Sequence, residues 1–116
     1  MSSDCKDINW AYVAGFFDGE GTIVIPERGA VRVEMSQRSQ NDWVLHEIQM
    51  LFESHGIHSK IYQYEAKKGT GVWQTYLRVW RGKDGMRVLK FMLPYLIVKR
   101  ERALEAISEL ESRMAV

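Results

Sequence analysis

Asp18 and Glu20, set between glycines in the string Asp18-Gly19-Glu20-Gly21, carry the strongest chemical signal in the sequence. Ile8, Tyr12 and Phe16, flanked by Val13 and Phe17, recur before them at helical spacing. That spacing predicts a helix over 8–18, with Asp7 as N-cap. Gly19 and Gly21 then let the chain leave in tight or left-handed conformations. Two acids at the foot of a helix sit at the negative end of its dipole, which disfavours them unless a cation compensates. Carboxylate oxygens suit Mg2+, an ion that takes few protein ligands and keeps several waters. Glu20, expected past the helix end, is the candidate ligand. Asp18, in the last turn, reads as a structural or second-sphere partner. One carboxylate is a weak metal site, so a two-fold dimer is expected to bring in a second Glu20. Within the helix, Ala14 and Gly15 leave a small surface on which two helices can approach closely, a reason for a glycine that otherwise costs about 1 kcal/mol. Taken alone, Asp-Gly-Glu-Gly reads as a helix end followed by a glycine turn with two solvated acids.

The surrounding elements define where these acids can sit. Strands are expected over 21–26 and 30–38, joined by the Glu27-Arg28-Gly29 turn, with Val31, Val33 and Met35 alternating against Arg32, Glu34 and Ser36. A second helix over 42–54 follows, capped by Ser39 or Asn41 and stopped by Gly56. A second hairpin is expected over 57–66 and 72–81. There Ile57, Ile61, Leu77 and Val79 face inward, while Lys60, Tyr62, Tyr64, Gln74, Tyr76, Arg78 and Trp80 face outward. Helices over 83–93 and 95–113, divided by Pro94, complete an α-β-β-α-β-β-α order. The expected fold class is α+β, four antiparallel strands with helices on one face, in a single domain over 1–116. The outer face is rich in Arg, Lys, Gln, Tyr and Trp, and exposed aromatics need a partner or a cover. Tyr76 and Trp80 folding down onto the sheet is the alternative.

Composition narrows the function classes. The chain has 116 residues and a net charge of +1, with 46% hydrophobic and 27% charged residues, ordinary for a soluble globular protein. No apolar run is long enough to span a membrane, and the N-terminus lacks the pattern of a signal peptide. The lone Cys5 excludes an internal disulfide and fits a reducing, intracellular compartment. His46, His55 and His58 lack metal-site spacing and are assigned no chemistry. Charge is unevenly distributed: residues 57–83 hold six Lys and Arg against Glu65 alone, whereas 101–116 hold four Glu against two Arg. A basic segment of this kind suits a polyanion. In a major groove, Arg28, Arg32, Arg38, Arg78 and Arg81 can make forked contacts to guanine or phosphate. Gln74 can bridge adenine, and Glu34 can accept from cytosine. Lys60, Lys67, Lys68 and Lys83 suit phosphate contacts.

The longer string Val13-Ala14-Gly15-Phe16-Phe17-Asp18-Gly19-Glu20-Gly21 resembles the nine-residue motif of the LAGLIDADG homing endonucleases, with Val13 for the leading Leu and Glu20 for the second Asp. The resemblance extends, less specifically, over the whole chain. It implies a Mg2+-dependent, site-specific DNA endonuclease of intron or intein origin that leaves 3′ overhangs. Members with one motif act as homodimers through the motif helix, here Ala14, Gly15 and Asp18, and the last acid, here Glu20, binds the metal. Gln37, in Met35-Ser36-Gln37-Arg38, maps to the residue ordering solvent near the metals. Lys99, in Pro94-Tyr95-Leu96-Ile97-Val98-Lys99-Arg100, maps to the basic residue at the edge of the active site. Asn41 stands where a basic residue sometimes accompanies these. The rival readings are a DNA-binding regulator or RNA-splicing maturase of the same fold, and a structural protein whose aromatic sheet face holds another protein.

Overall fold

The computed structural model describes residues 8–114; the expected N-cap Asp7 and the lone Cys5 lie outside them. Four helices and four strands follow in the order α1 (Trp10–Glu20), β1 (Gly21–Val24), β2 (Arg32–Arg38), α2 (Trp43–Ser54), β3 (Lys60–Glu65), β4 (Trp73–Val79), α3 (Gly82–Met92) and α4 (Arg100–Met114). Short 3-10 turns at Ser39–Asn41 and Leu93–Tyr95 precede α2 and α4. The strands form one antiparallel sheet in the order β1-β2-β4-β3. This is the expected α+β architecture.

Alternation fixes the two faces. Val33, Met35, Leu77 and Val79 are buried, and the register pairs Met35 with Leu77 and Val33 with Val79. The same register pairs Glu34 with Arg78, Ser36 with Tyr76 and Arg38 with Gln74 on the opposite face. Across β3, Lys60 lies opposite Arg78, Tyr62 opposite Tyr76 and Tyr64 opposite Gln74. Residues directly opposite share a face, so the polar and aromatic side chains are gathered on one side. On the other side the sheet residues join Leu45, Ile48 and Phe52 of α2, Val88 and Leu89 of α3, and Ala103 and Ala106 of α4 in one core.

Several boundaries shift from expectation, each for a physical reason. Helix α1 begins after Asn9, whose side chain accepts a hydrogen bond from the Tyr12 N–H at 2.8 Å. Its buried face is Val13, Ala14 and Phe17, with Trp10 stacked between Phe52 and Phe91 at centroid distances of 5.6 and 4.7 Å. Tyr12, part of the apolar periodicity, is 46% exposed. A helix that is apolar all round gives no single stripe, so periodicity alone does not choose the inner face. The helix also runs on to include Glu20, and Gly21 is extended (φ −96°), not left-handed. Gly21 has a packing reason instead: a Cβ there would lie 2.2 Å from the ring of Phe17.

The start of α2 differs from expectation too. Neither Ser39 nor Asn41 caps it; Asp42 holds the N-cap position without a side-chain capping bond. Ser39 and Asp42 instead satisfy Thr75, a fully buried polar residue of β4, at 2.7 and 2.9 Å. Leaving that buried hydroxyl unpaired would cost more than leaving an exposed helix end uncapped. His55 closes α2, and Gly56 follows with φ +72°, a conformation that favours glycine. The last helix begins at Arg100, not 95, because Asp18 captures the backbone of the preceding segment.

Candidate functional site

The end of α1 is where residues distant in sequence converge. The Asp18 carboxylate accepts the backbone N–H groups of Ile97 at 2.9 Å and Lys99 at 3.0 Å. In return the Lys99 ammonium donates to the Asp18 carbonyl oxygen at 2.6 Å. That carbonyl is one of the last in the helix, so Lys99 places a cation at the negative end of the dipole. Burial by itself pushes the Asp18 carboxyl up, but the N–H groups of Ile97, Lys99 and Val98, with the Lys99 charge, hold it below its usual 3.8. Asp18 therefore acts within the protomer: it latches the segment 96–99 onto α1 and seats Lys99 there.

Glu20, two residues further, is exposed and, among the described residues, makes no hydrogen bond or ion pair. Of the two acids at the helix end, the described residues compensate one and not the other. No three His, Cys, Asp or Glu side chains come together as a metal-holding group among the described residues. The donor chemistry nevertheless fits a hard divalent cation: a free carboxylate, beside a helix end whose dipole is negative, open to a second ligand from outside.

Gln37 reaches the same end of the sheet by register, since Gly21, the residue after Glu20, pairs with Met35, two before Gln37. Its side-chain oxygen accepts the N–H of Arg38 at 3.1 Å. Asn41 lies in the 3-10 turn beyond. Arg38 lines a cleft of about 230 Å³ with Ser39, Gln40, Gly71, Val72 and Trp73. Trp73, 48% exposed, was not singled out by its sequence context, because it is in phase with Thr75, Leu77 and Val79 on the buried face of β4 and so reads as core.

The small-residue pair expected on α1 divides. Ala14 is fully buried in this protomer's own core, while Gly15 is exposed and a Cβ there would meet open space. Ala14 is thus unavailable to a partner, a correction to the expectation. The outward small residues are Ala11, Gly15 and Gly19, one per turn, with Tyr12 beside them. Their spacing of four was the signal that would have found them. Ile97 and Val98, on the segment latched by Asp18, are 83% and 75% exposed.

The polar sheet face is organised, not merely decorated. One carboxylate oxygen of Glu34 lies 3.1 Å from Arg32 Nε and 2.6 Å from Arg78 Nε. Glu34 is thus neutralised by two guanidiniums and its side chain is only 13% exposed, which argues against the expected direct contact to cytosine. The Arg78 guanidinium lies 4.9 Å from the ring of Tyr62, and Lys60 lies over Trp80. Tyr64 packs edge-on against Tyr76, and Trp80 against His58, so Tyr76 and Trp80 do fold partly down onto the sheet. Gln74, on β4, pairs across to Arg38 and Tyr64 on this face. Arg28 is exposed in the β1–β2 connection, and Lys67 and Lys68 in the β3–β4 turn, where the Glu65 carboxylate accepts the N–H groups of Gly69 and Gly71. Arg81 is the N-cap residue of α3, just past the sheet.

This fold is matched by known structures. The fold is similar to that of the homing endonuclease I-CvuI in complex with its target in the presence of 2 mM Ca, at 23% identity and a TM-score of 0.68. It is also similar to I-CvuI in complex with the I-CreI target in the presence of 2 mM Mg, with the DNA not cleaved, at 22% identity and a TM-score of 0.66. Each match covers 88% of this chain but 65% of the endonuclease chain, so the chain spans about two thirds of the length of these proteins. A search of curated protein sequences gives no match. No described helix is long and apolar enough to cross a membrane. The family model of the LAGLIDADG-like domain matches residues 7–109, most of the chain, and with the fold in agreement the chain belongs to that family.

Proposed function

We propose that the protein is a site-specific double-strand DNA endonuclease that acts as a homodimer with divalent metal, Mg2+, on a long pseudo-palindromic site. The observation that carries this reading is the exposed carboxylate of Glu20 at the end of α1, without a partner among the described residues, two residues after the Asp18 carbonyl to which Lys99 is tied. Helix α1 is apolar on both sides, and its outer face of Ala11, Gly15 and Gly19 lets a second copy approach closely. Such an approach brings two Glu20 carboxylates together about a two-fold axis. These would hold the metal, which when bound makes water nucleophilic and stabilises charge at phosphorus. Lys99 places positive charge near the phosphate, and the Gln37 amide orders water. Lys60, Lys67 and Lys68 contact phosphates, while the sheet face with Arg32, Gln74, Tyr76 and Arg78 lies in the major groove. The I-CvuI complexes support duplex DNA as the ligand.

A DNA-binding regulator or an RNA-splicing maturase of this fold would have no use for a free carboxylate at Glu20. The deciding experiment incubates the protein with a randomised duplex library and Mg2+ and sequences the cut ends. Recovery of one family of cleaved sites with two-fold symmetry is expected. Absence of Mg2+-dependent cleavage at any site overturns the proposal.

A further inference from the structure

The Glu34 cluster on the sheet has a geometry that selects a ligand. Glu34 touches both Arg32 and Arg78 through their Nε atoms, using the same oxygen, Oε2. The Arg32 contact is an aligned hydrogen bond; the Arg78 contact is a close ion pair without hydrogen-bond alignment. The two terminal nitrogens of each guanidinium have no hydrogen-bond partner among the described residues. They form the edge that matches the paired acceptors O6 and N7 of guanine. Arg78 is held on a second side by the ring of Tyr62 at 4.9 Å. A long, mobile side chain fixed at Nε loses less entropy when its outer edge binds.

From this we infer that Glu34 is a positioning residue that sets Arg32 and Arg78 to read two guanines in each half-site, and does not itself read a base. The inference rests on the proposed DNA-binding function. Register gives the spacing. Arg78 lies opposite Glu34, and Arg32 is two residues before Glu34 on the same face, so the two arginines are diagonal neighbours. Such neighbours are about 7–8 Å apart, and at 3.4 Å per base step that is about two steps. The two preferred guanines therefore lie about two base steps apart, on either strand. Replacing Glu34 frees both arginines at once, whereas replacing one arginine affects one position.

The test selects bound duplexes from a randomised library, in parallel for the wild-type protein, Glu34→Gln and Arg32→Lys, with melting curves to verify that each is folded. Wild-type sites are expected to carry guanine at two positions about two steps apart, each preferred by roughly 5- to 150-fold. Glu34→Gln is expected to lose most of that preference at both positions while keeping the rest of the site and its affinity for unrelated DNA. Arg32→Lys loses it at one. A selected site without the guanine pair, or a Glu34→Gln variant that keeps it, or one that changes a single position, overturns the inference and leaves the endonuclease reading standing. If the wild-type protein enriches no sequence, the endonuclease reading falls too. Should Glu34→Gln fail to fold, Glu34→Asp, which keeps the charge but is one methylene shorter, is selected in its place, and the same loss at both positions is required of it.

Discussion

Removing the Asp18 carboxylate tests the latch that seats Lys99. In Asp18→Ala the N–H groups of Ile97 and Lys99 lose acceptors at 2.9 and 3.0 Å, and the segment 96–99 loses its tie to α1. Hydrogen bonds to a charged acceptor are worth about 1.5–3 kcal/mol each. The carboxylate is only partly buried, and water replaces part of what is lost, so about 1 kcal/mol per bond, or about 2 kcal/mol in all, is the expected cost. For a chain of this size 2 kcal/mol lowers Tm by roughly 6–12 °C. Asp18→Asn keeps one acceptor oxygen and is expected to fall about midway. The sign of the pH dependence follows from the lowered Asp18 value. A group whose folded value lies below its unfolded one stabilises fully above the unfolded value, 3.8, and loses that contribution as pH falls through the folded value. The gap in stability between wild type and Asp18→Asn is therefore constant from pH 7 down to about 5 and closes below 3.8. The assay is denaturant unfolding at fixed protein concentration across pH 3–7, with cleavage measured alongside. A variant Asp18→Ala melting within about 1 °C of wild type at pH 7 refutes the latch, and so does a gap that widens in acid.

Other expectations follow from single positions. Glu20→Gln keeps size and polarity but removes the charge that attracts a divalent ion; Mg2+-dependent cleavage should be lost with specific DNA binding nearly unchanged, as measured by cleavage and band-shift assays on one duplex. Gly15→Leu meets open space within the chain, so the variant should fold yet sediment as a monomer; a dimer of unchanged affinity refutes the proposed helix contact. Gly21→Ala drives a methyl into the ring of buried Phe17, and overpacking of this kind is expected to cost about 1–3 kcal/mol in denaturant unfolding.

The motif, the strand alternation and the order of elements are legible in the residue pattern alone. Alternation is a local property: a period of two places Val33, Met35, Leu77 and Val79 on one face and Arg32, Glu34, Tyr76 and Arg78 on the other, whatever the partners. Tertiary structure decided the rest, because each remaining feature depends on a contact between distant residues. Helix α1 is apolar on every side, and only packing against Phe52 and Phe91 selects Trp10, Val13, Ala14 and Phe17 as its inner face. The stretch before Arg100 reads as helix until Asp18, 81 residues earlier, takes the Lys99 N–H and orients its ammonium. Glu34 reads as a free acceptor until the cross-strand register brings Arg78 against it. Of the two acids in the motif, sequence alone placed both at a helix end; the fold gave Asp18 its partners and left Glu20 open, because a backbone segment and a lysine reach the one and nothing among the described residues reaches the other.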